Sequence, residues 1–183
     1  MKRPVICLCV AALLTVLTAC GTPNDEENRT ESRHTDMGDI RQTLVDVLGE
    51  DYWPNTRIAP EYLEEYGLHS DIYDDFYGEV PQVTTNVDTL IIIGAKEEQV
   101  EEAEEVLNRY REALVADTDR YPMNAGKILA SRIETIGNYV CFVQLGADTT
   151  EAYGEDGDED AVIKRCQEHN ELAIEAIGKK LGG

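Results

Sequence analysis

The clearest indication of the fold is the stretch VDTLIIIGAKEEQVEEAEEVLNRYREALVA, residues 87–116. Residues 87–93 are rich in β-branched side chains and nearly continuous in their apolar character, which is typical of a central strand covered on both faces. From Lys96 to Ala116 the apolar side chains instead recur every three or four residues, which indicates an amphipathic helix. The sequence therefore predicts a buried strand that is followed directly by a helix.

Further helices and strands are predicted on either side of this stretch. Residues 128–136 and 139–145 are typical of two strands, and the Gly137-Asn138 pair between them signals a tight hairpin. Helical spacing of apolar residues predicts two more helices, over residues 38–49 and 162–181. We therefore expect an α/β (α+β) fold. It would be a small two-layer domain with a three- to four-stranded, partly antiparallel sheet and helices packed on one face.

The N-terminus carries the pattern of an export signal. Lys2 and Arg3 give a positive start, and residues 5–17 then run without a charge. This run fits the apolar region of a signal peptide and is short for a helix that spans a bilayer. It leads into Leu-Thr-Ala-Cys-Gly, residues 17–21, which resembles a bacterial lipobox. The sequence predicts a signal peptide over residues 1–19 and lipidation of Cys20; the alternative is an ordinary secretory signal that is cut elsewhere.

Two acyl chains on Cys20 would suffice for stable anchoring to a membrane. The segment that follows is polar and charged as far as Met37, so residues 20–37 are predicted to form a flexible tether. A tether of this length reaches roughly 20–25 Å. Residues 38–183 are expected to form a single α/β domain, held on the extracytoplasmic face of the cell membrane.

The charge of the chain restricts its partners. The net charge is -21, and removal of Lys2 and Arg3 with the signal peptide takes it to -23. Binding to nucleic acid requires clustered Lys and Arg, so no nucleic-acid partner is expected. An acidic body is also repelled by an anionic membrane surface. The lipidated Cys20 is therefore the expected membrane attachment.

The segment from about 66 to 145 resembles a family of Gram-positive lipoproteins known as domain of unknown function 4358. The matching features are the strand end at residues 89–96, the acidic helix after it, the Tyr121-Pro122 pair, and Gly137-Asn138-Tyr139-Val140 at the start of the last strand. The resemblance implies an extracytoplasmic lipoprotein of unassigned activity. It supplies no catalytic residues for this chain.

No catalytic constellation is predicted. The three histidines, His34, His69 and His169, fall in the tether, a turn and the polar side of a helix. The sequence has no Gly-x-Ser-x-Gly elbow, no Gly-rich phosphate loop and no metal-ligand spacing. We therefore expect a protein that is not an enzyme, with no catalytic residues, no metal and no cofactor. A hydrolase with a dispersed site is the less favoured alternative, and it would need a deep pocket lined by convergent polar groups.

Three local patterns leave alternatives open. Cys141 and Cys166 either form a disulfide or are two buried thiols. The acidic run 156–160 resembles the start of a calcium loop, but Ala161 and Gln167 stand where Gly and Glu are needed, which favours a solvated loop that caps the last helix. The aromatic and acidic stretch 62–77 either binds sugar rings or packs in the core.

These features favour a membrane-anchored lipoprotein that acts as a non-catalytic binding or scaffolding module of the cell envelope. Its partners would be the membrane, through Cys20, and an envelope protein or glycan. The alternative function is a small-ligand or glycan-binding accessory lipoprotein.

Overall fold

The structure is a computed structural model that describes residues 37–83, 85–117 and 121–182. The predicted signal peptide, the predicted lipidation site Cys20 and the predicted tether up to residue 36 lie outside the described residues. The predicted domain division therefore stays a prediction.

The described residues contain one five-stranded sheet in which every pair of neighbouring strands is antiparallel. The strands are β1 (Thr56–Arg57), β2 (Tyr73–Val80), β3 (Thr89–Ala95), β4 (Arg132–Ile136) and β5 (Tyr139–Gln144). Their order across the sheet is β1-β2-β3-β5-β4. The tight hairpin predicted at Gly137-Asn138 joins β4 to β5.

β3 is the central strand, as predicted. All of its residues are buried, and it pairs with β2 on one side and β5 on the other. Ile92, for example, lies between Tyr77 of β2 and Cys141 of β5. The continuous apolar character of β3 follows from this position, because both of its faces are covered.

The helices of the described ranges are α1 (Ile40–Leu48), α2 (Val100–Ala116), α3 (Pro122–Leu129), α4 (Thr150–Tyr153) and α5 (Glu159–Leu181). Short 3-10 turns lie at Met37–Asp39, Gly49–Asp51, Pro60–Tyr66 and Glu97–Gln99. α1, α2 and α5 lie where the sequence predicts helices. Within the described ranges, no helix combines the length and the apolar character that crossing a membrane requires.

Helices pack on both faces of the sheet. Leu90 and Ile92 of β3 point into a core that includes residues of α1 and α5. Ile91 and Ile93 point the other way, into a core formed with α2 and the Pro60–Tyr66 turn. The domain therefore has three layers, with the sheet in the middle.

The α+β class is confirmed, but three details of the predicted architecture need correction. The sequence predicts three to four strands that are partly antiparallel, with helices on one face; the sheet has five antiparallel strands and helices on both faces. β1 has only two residues, too few to show an alternating pattern. β2 begins with Tyr-Asp-Asp-Phe-Tyr, in which two acids interrupt residues that favour a strand. A second layer of helices is required because β3 is apolar on both faces.

The prediction of a strand from residue 128 is also wrong at its start. Residues up to Leu129 belong to α3, and β4 begins at Arg132. Pro122 occupies the first turn of α3, where its fixed φ and its missing N–H favour a helix. The apolar residues 128–130 therefore close a helix instead of opening a strand.

Candidate functional site

Buried polar side chains gather at one end of the sheet, where β3 begins and β5 ends. The two strands are antiparallel and pair Thr89 with Gln144, so the loop before β3 meets the loop after β5. α3 lies across both loops and contributes a lysine. We call this group the Lys127 site: Asn86, Asp88, Lys127, Gly146 and Ala147.

Lys127 is the centre of this site and is only 2% exposed. Its Nζ lies 2.7 Å from Asp88 Oδ1 and 3.2 Å from Asn86 Oδ1, and it also donates to the Ala147 carbonyl. Nζ therefore has three acceptors, enough for the three protons of an ammonium group. Burial raises the pKa of the Asp88 carboxyl, while the charge of Lys127 acts in the opposite direction.

The loop after β5 is shaped around Asp88. The backbone N–H groups of Gly146 and Ala147 donate to Asp88 Oδ2 at 3.3 and 2.9 Å. Ala147 has a φ of 50°, a left-handed conformation that is uncommon outside glycine. The hydrogen bonds of its N–H to Asp88 and of its C=O to Lys127 hold it there.

Asn170 of α5 joins three elements beside this site. Its side chain is fully buried, and its Oδ1 accepts the Leu145 N–H at 2.8 Å. Its Nδ2 donates to the Ala130 carbonyl at 2.9 Å. One side chain thus satisfies a backbone donor at the end of β5 and a backbone acceptor at the end of α3. In the sequence this residue looks like an apolar-face position of a helix, so its role is not predicted.

A second buried acid, Glu79 of β2, lies close to two arginine side chains on the face of the sheet that α1 covers. Its Oε1 lies 3.4 Å from the Nε of Arg41 and of Arg57. Its Oε2 accepts the Tyr52 hydroxyl at 2.8 Å. The Arg57 guanidinium also lies over the ring of Tyr77, 3.7 Å from its centroid. Burial raises the pKa of both tyrosines, with Glu79 adding to it, so their hydroxyls stay protonated.

His169 contacts an acid that the sequence does not associate with it. Its Nε2 lies 3.4 Å from Asp51 Oδ2, and Arg165 Nη2 lies 3.6 Å from the same oxygen. The His169 Nδ1 is buried and has no hydrogen-bond partner among the residues that the structure describes. α5 packs against α1, and Asp51 lies in the Gly49–Asp51 turn directly after α1.

Of the three cysteines that the sequence singled out, Cys141 and Cys166 lie in the described residues and Cys20 does not. Cys141 and Cys166 are both free and buried, so the disulfide that the sequence left open is not formed in the structure. Cys141 packs in the core shared with α1 and α5, whereas Cys166 packs with Ala130 and Val162. The two side chains thus face different clusters.

These thiols are expected to resist alkylation in the folded protein. Burial raises the pKa of Cys141 and of Cys166 to about 12, so the reactive thiolate is scarce at pH 8. Treatment with iodoacetamide at pH 8, followed by peptide mapping, should leave both residues unlabelled in native protein and label both in denaturant. Rapid native labelling of either thiol would contradict this prediction.

The acidic run 156–160 caps a helix. Asp158 is the N-cap of α5, and its Oδ1 accepts the Ala161 N–H at 2.9 Å. The interpretation of this loop as a helix cap is therefore confirmed. Among the described residues, no group of three or more His, Cys, Asp or Glu side chains is placed to hold a metal ion.

The aromatic side chains of the stretch 62–77 mainly pack against other side chains of the domain. Tyr66 and Tyr62 contact the ring of Tyr110 edge-on, with centroids 5.2 and 5.9 Å away. Tyr110 in turn contacts Phe142 at 5.2 Å. Tyr77 is buried on the opposite face of the sheet. The tyrosines of this stretch therefore do not share one exposed surface, although Tyr62 remains 43% exposed.

Grooves on the surface lie between or along helices. One of about 470 Å³ runs between α1 and α5, and includes the exposed side chains of Val47 and Leu172. Another, of about 530 Å³, lies along the acidic start of α2. A third, of about 430 Å³, lies between α4 and α5. Neither the Lys127 site nor Glu79 lines any of these three grooves.

The fold and these sites define an α+β domain with a three-layer core and a polar cluster buried at one end of its sheet. Residues 59–145 match the family model described as Domain of unknown function (DUF4358), so this part of the chain is similar to that family. No curated protein and no solved structure matches the chain. The matched segment includes Asn86, Asp88 and Lys127, and ends directly before Gly146.

Proposed function

We propose that the protein is a lipid-anchored module on the extracytoplasmic face of a bacterial cell membrane, and that it binds or scaffolds another envelope component without catalysis. The anchor is supported by the sequence pattern at residues 2–21, with its positive start, apolar run and Leu-Thr-Ala-Cys end. The tether that follows would hold the acidic domain clear of the lipid headgroups.

One observation supports the non-catalytic part of the proposal. The reactive side chains of the described domain are buried or already bonded within the protein. Lys127 Nζ donates to three acceptors inside the protein. Cys141 and Cys166 are fully buried, and burial raises the pKa of each thiol. Glu79 is enclosed by Tyr52 and two arginines. None of these groups presents a free nucleophile or base to a substrate in solution.

The negative charge of the domain gives a physical reason for a lipid anchor. After removal of the signal peptide the net charge is -23, so an anionic membrane surface would repel the protein. A covalent lipid then supplies the attraction that the protein surface lacks. Binding partners with complementary positive charge would be attracted to the same surface.

The anchor is tested by replacing Cys20. The Cys20→Ala variant is expected to lose incorporation of radiolabelled palmitate and to lose at least nine-tenths of its membrane retention, because one acyl chain or none gives only reversible binding. The measurement is fractionation of cells into membrane and soluble material. Cys9→Ala is the matched control, since Cys9 lies within the predicted signal peptide and its loss should leave retention unchanged.

Retention of Cys20→Ala in the membrane fraction at the wild-type level would refute the anchor. Protease added to intact cells freed of their wall should degrade the wild-type domain, and full protection would refute the extracytoplasmic location. For the binding role, chemical crosslinking of wild-type cells should give discrete adducts that diminish in the Cys20→Ala variant. Adducts of equal yield in the two strains would count against a role that depends on anchoring.

A further inference from the structure

The Lys127 site brings an amine, a carboxamide and a carboxyl group together, and the amine and the carboxyl group are shielded from water. Nζ of Lys127 is 3.2 Å from Oδ1 of Asn86 and 2.7 Å from Oδ1 of Asp88. Lys127 and Asp88 are buried, with 2% and 0% of their side chains exposed. We propose that Lys127 and Asn86 become joined by an intramolecular isopeptide bond, with Asp88 carrying the protons.

The carboxamide of Asn86 is oriented for attack. Its Oδ1 accepts the backbone N–H of Asp88 at 2.7 Å and also the Nζ of Lys127. Two donors on one oxygen fix which side of the amide is the carbonyl. The same backbone N–H can stabilise the negative charge that this oxygen gains when a nucleophile adds to Cγ.

Asp88 is placed to accept and return protons. Its Oδ2 is held by the N–H groups of Gly146 and Ala147, which leaves Oδ1 directed at Lys127. Transfer of one proton from Nζ to Asp88 converts the ion pair into a neutral amine and a neutral carboxylic acid. A water-excluded site disfavours separated charges, and burial raises the pKa of Asp88, so the neutral acid is accessible here.

The reaction balances without another reactant. The lone pair on Nζ forms a bond to Cγ of Asn86, and the bond between Cγ and the amide nitrogen of Asn86 breaks. Asp88 gives its proton to the leaving nitrogen, which departs as ammonia, and takes a proton from Nζ. The products are a secondary amide between the two side chains, one ammonia molecule and Asp88 as the neutral acid. Asn86 is only partly buried, so ammonia has a route to solvent.

The bond would link the loop before β3 to α3, across 41 positions of the chain. Cys141 and Cys166, the two cysteines among the described residues, form no disulfide. An isopeptide bond would therefore act as a covalent staple in this part of the domain. A covalent link stabilises mainly by restricting the unfolded chain, and the effect grows with the length of the closed loop. This inference concerns the domain itself and does not rest on the proposed anchoring.

Peptide mapping of the full wild-type chain tests the proposal. Trypsin cleaves after Lys and Arg, so Asn86 falls in peptide 58–96 and Lys127 within residues 121–132. We expect these two peptides to be recovered linked, at their summed mass less one ammonia, with no cleavage after Lys127. Tandem spectra should place the link at Asn86 and Lys127. Separate peptides with cleavage after Lys127 would overturn the proposal, as would a link through Asp88 with loss of water.

Variants assign the roles of the residues. Asn86→Ala and Lys127→Arg should abolish the link, and Asp88→Asn should reduce its yield at least tenfold. Lys96→Arg is the matched control, because Lys96 Nζ contacts only the carbonyls of Ser70 and Asp71 and the link should persist. Asn86 lies in a loop, so its variant is expected to fold and to melt about 10 °C lower. A full yield of link at Lys127 in the Asn86→Ala variant would overturn the assignment.

Discussion

Replacing Asn170 with alanine is expected to lower the free energy of unfolding by about 3 kcal/mol. The substitution removes the acceptor of the Leu145 N–H and the donor to the Ala130 carbonyl, and both groups lie where water has no access. Each buried polar group that is left unpaired costs about 1–3 kcal/mol. In a chain of this size the melting temperature should fall by about 10 °C.

Urea denaturation followed by circular dichroism measures this effect directly. Asn108→Ala is the matched control, because Asn108 is exposed on α2 and bonds only the Glu104 carbonyl of its own helix. Its change in unfolding free energy should stay within about 0.5 kcal/mol. If the two variants lose the same stability, Asn170 is not the bridge between α5, β5 and α3 that the hydrogen bonds indicate.

The Gly146→Ala substitution is expected to cost about 3 kcal/mol, for a different physical reason. A Cβ atom at Gly146 would lie 2.4 Å from Cys166 Sγ, a separation at which one of the two groups must move. Cys166 is fully buried, so its side chain has little room to adopt another rotamer. The backbone N–H of Gly146 also donates to Asp88, so a displaced loop would disturb the Lys127 site.

A second substitution should relieve this strain. Cys166→Ala removes the sulfur atom, so the double variant is expected to be more stable than Gly146→Ala alone, with a coupling of about 1–2 kcal/mol. Gly178→Ala is the matched control. Gly178 lies inside α5, and a Cβ atom there would meet only Ile136, at 3.9 Å, so stability should rise slightly. The steric account fails if Cys166→Ala adds its own destabilisation to that of Gly146→Ala.

The sequence predicts those parts of the fold that have a strong periodic pattern. α2, α5 and β3 follow from their apolar spacing, and the β4–β5 hairpin follows from Gly137-Asn138. β1 and β2 are missed because a two-residue strand has no period and because acids interrupt the start of β2. The second layer of helices is missed although β3 itself requires it.

The buried polar sites are much harder to predict, because their members come together only in the folded chain. Asn86 and Lys127 are 41 positions apart, and Tyr52 and Glu79 are 27 positions apart. Two local signals are present for the Lys127 site: Asp88 directly precedes the apolar strand β3, and Lys127 directly precedes the apolar Ile128. A single charge beside apolar residues is equally common at a solvated edge, so its buried partner is revealed by the structure alone.

β3 is buried on both faces, and the segment that matches the family model, residues 59–145, does not contain all the helices that cover it. Residues 59–145 include β2 to β5, α2 and α3, but β1, α1 and α5 lie outside this segment, and α1 and α5 cover Leu90, Ile92 and Val143. A polypeptide truncated to the family segment would expose this apolar face to water and to other chains, which favours aggregation. We therefore expect cooperative folding of this domain to need both flanks of the matched segment.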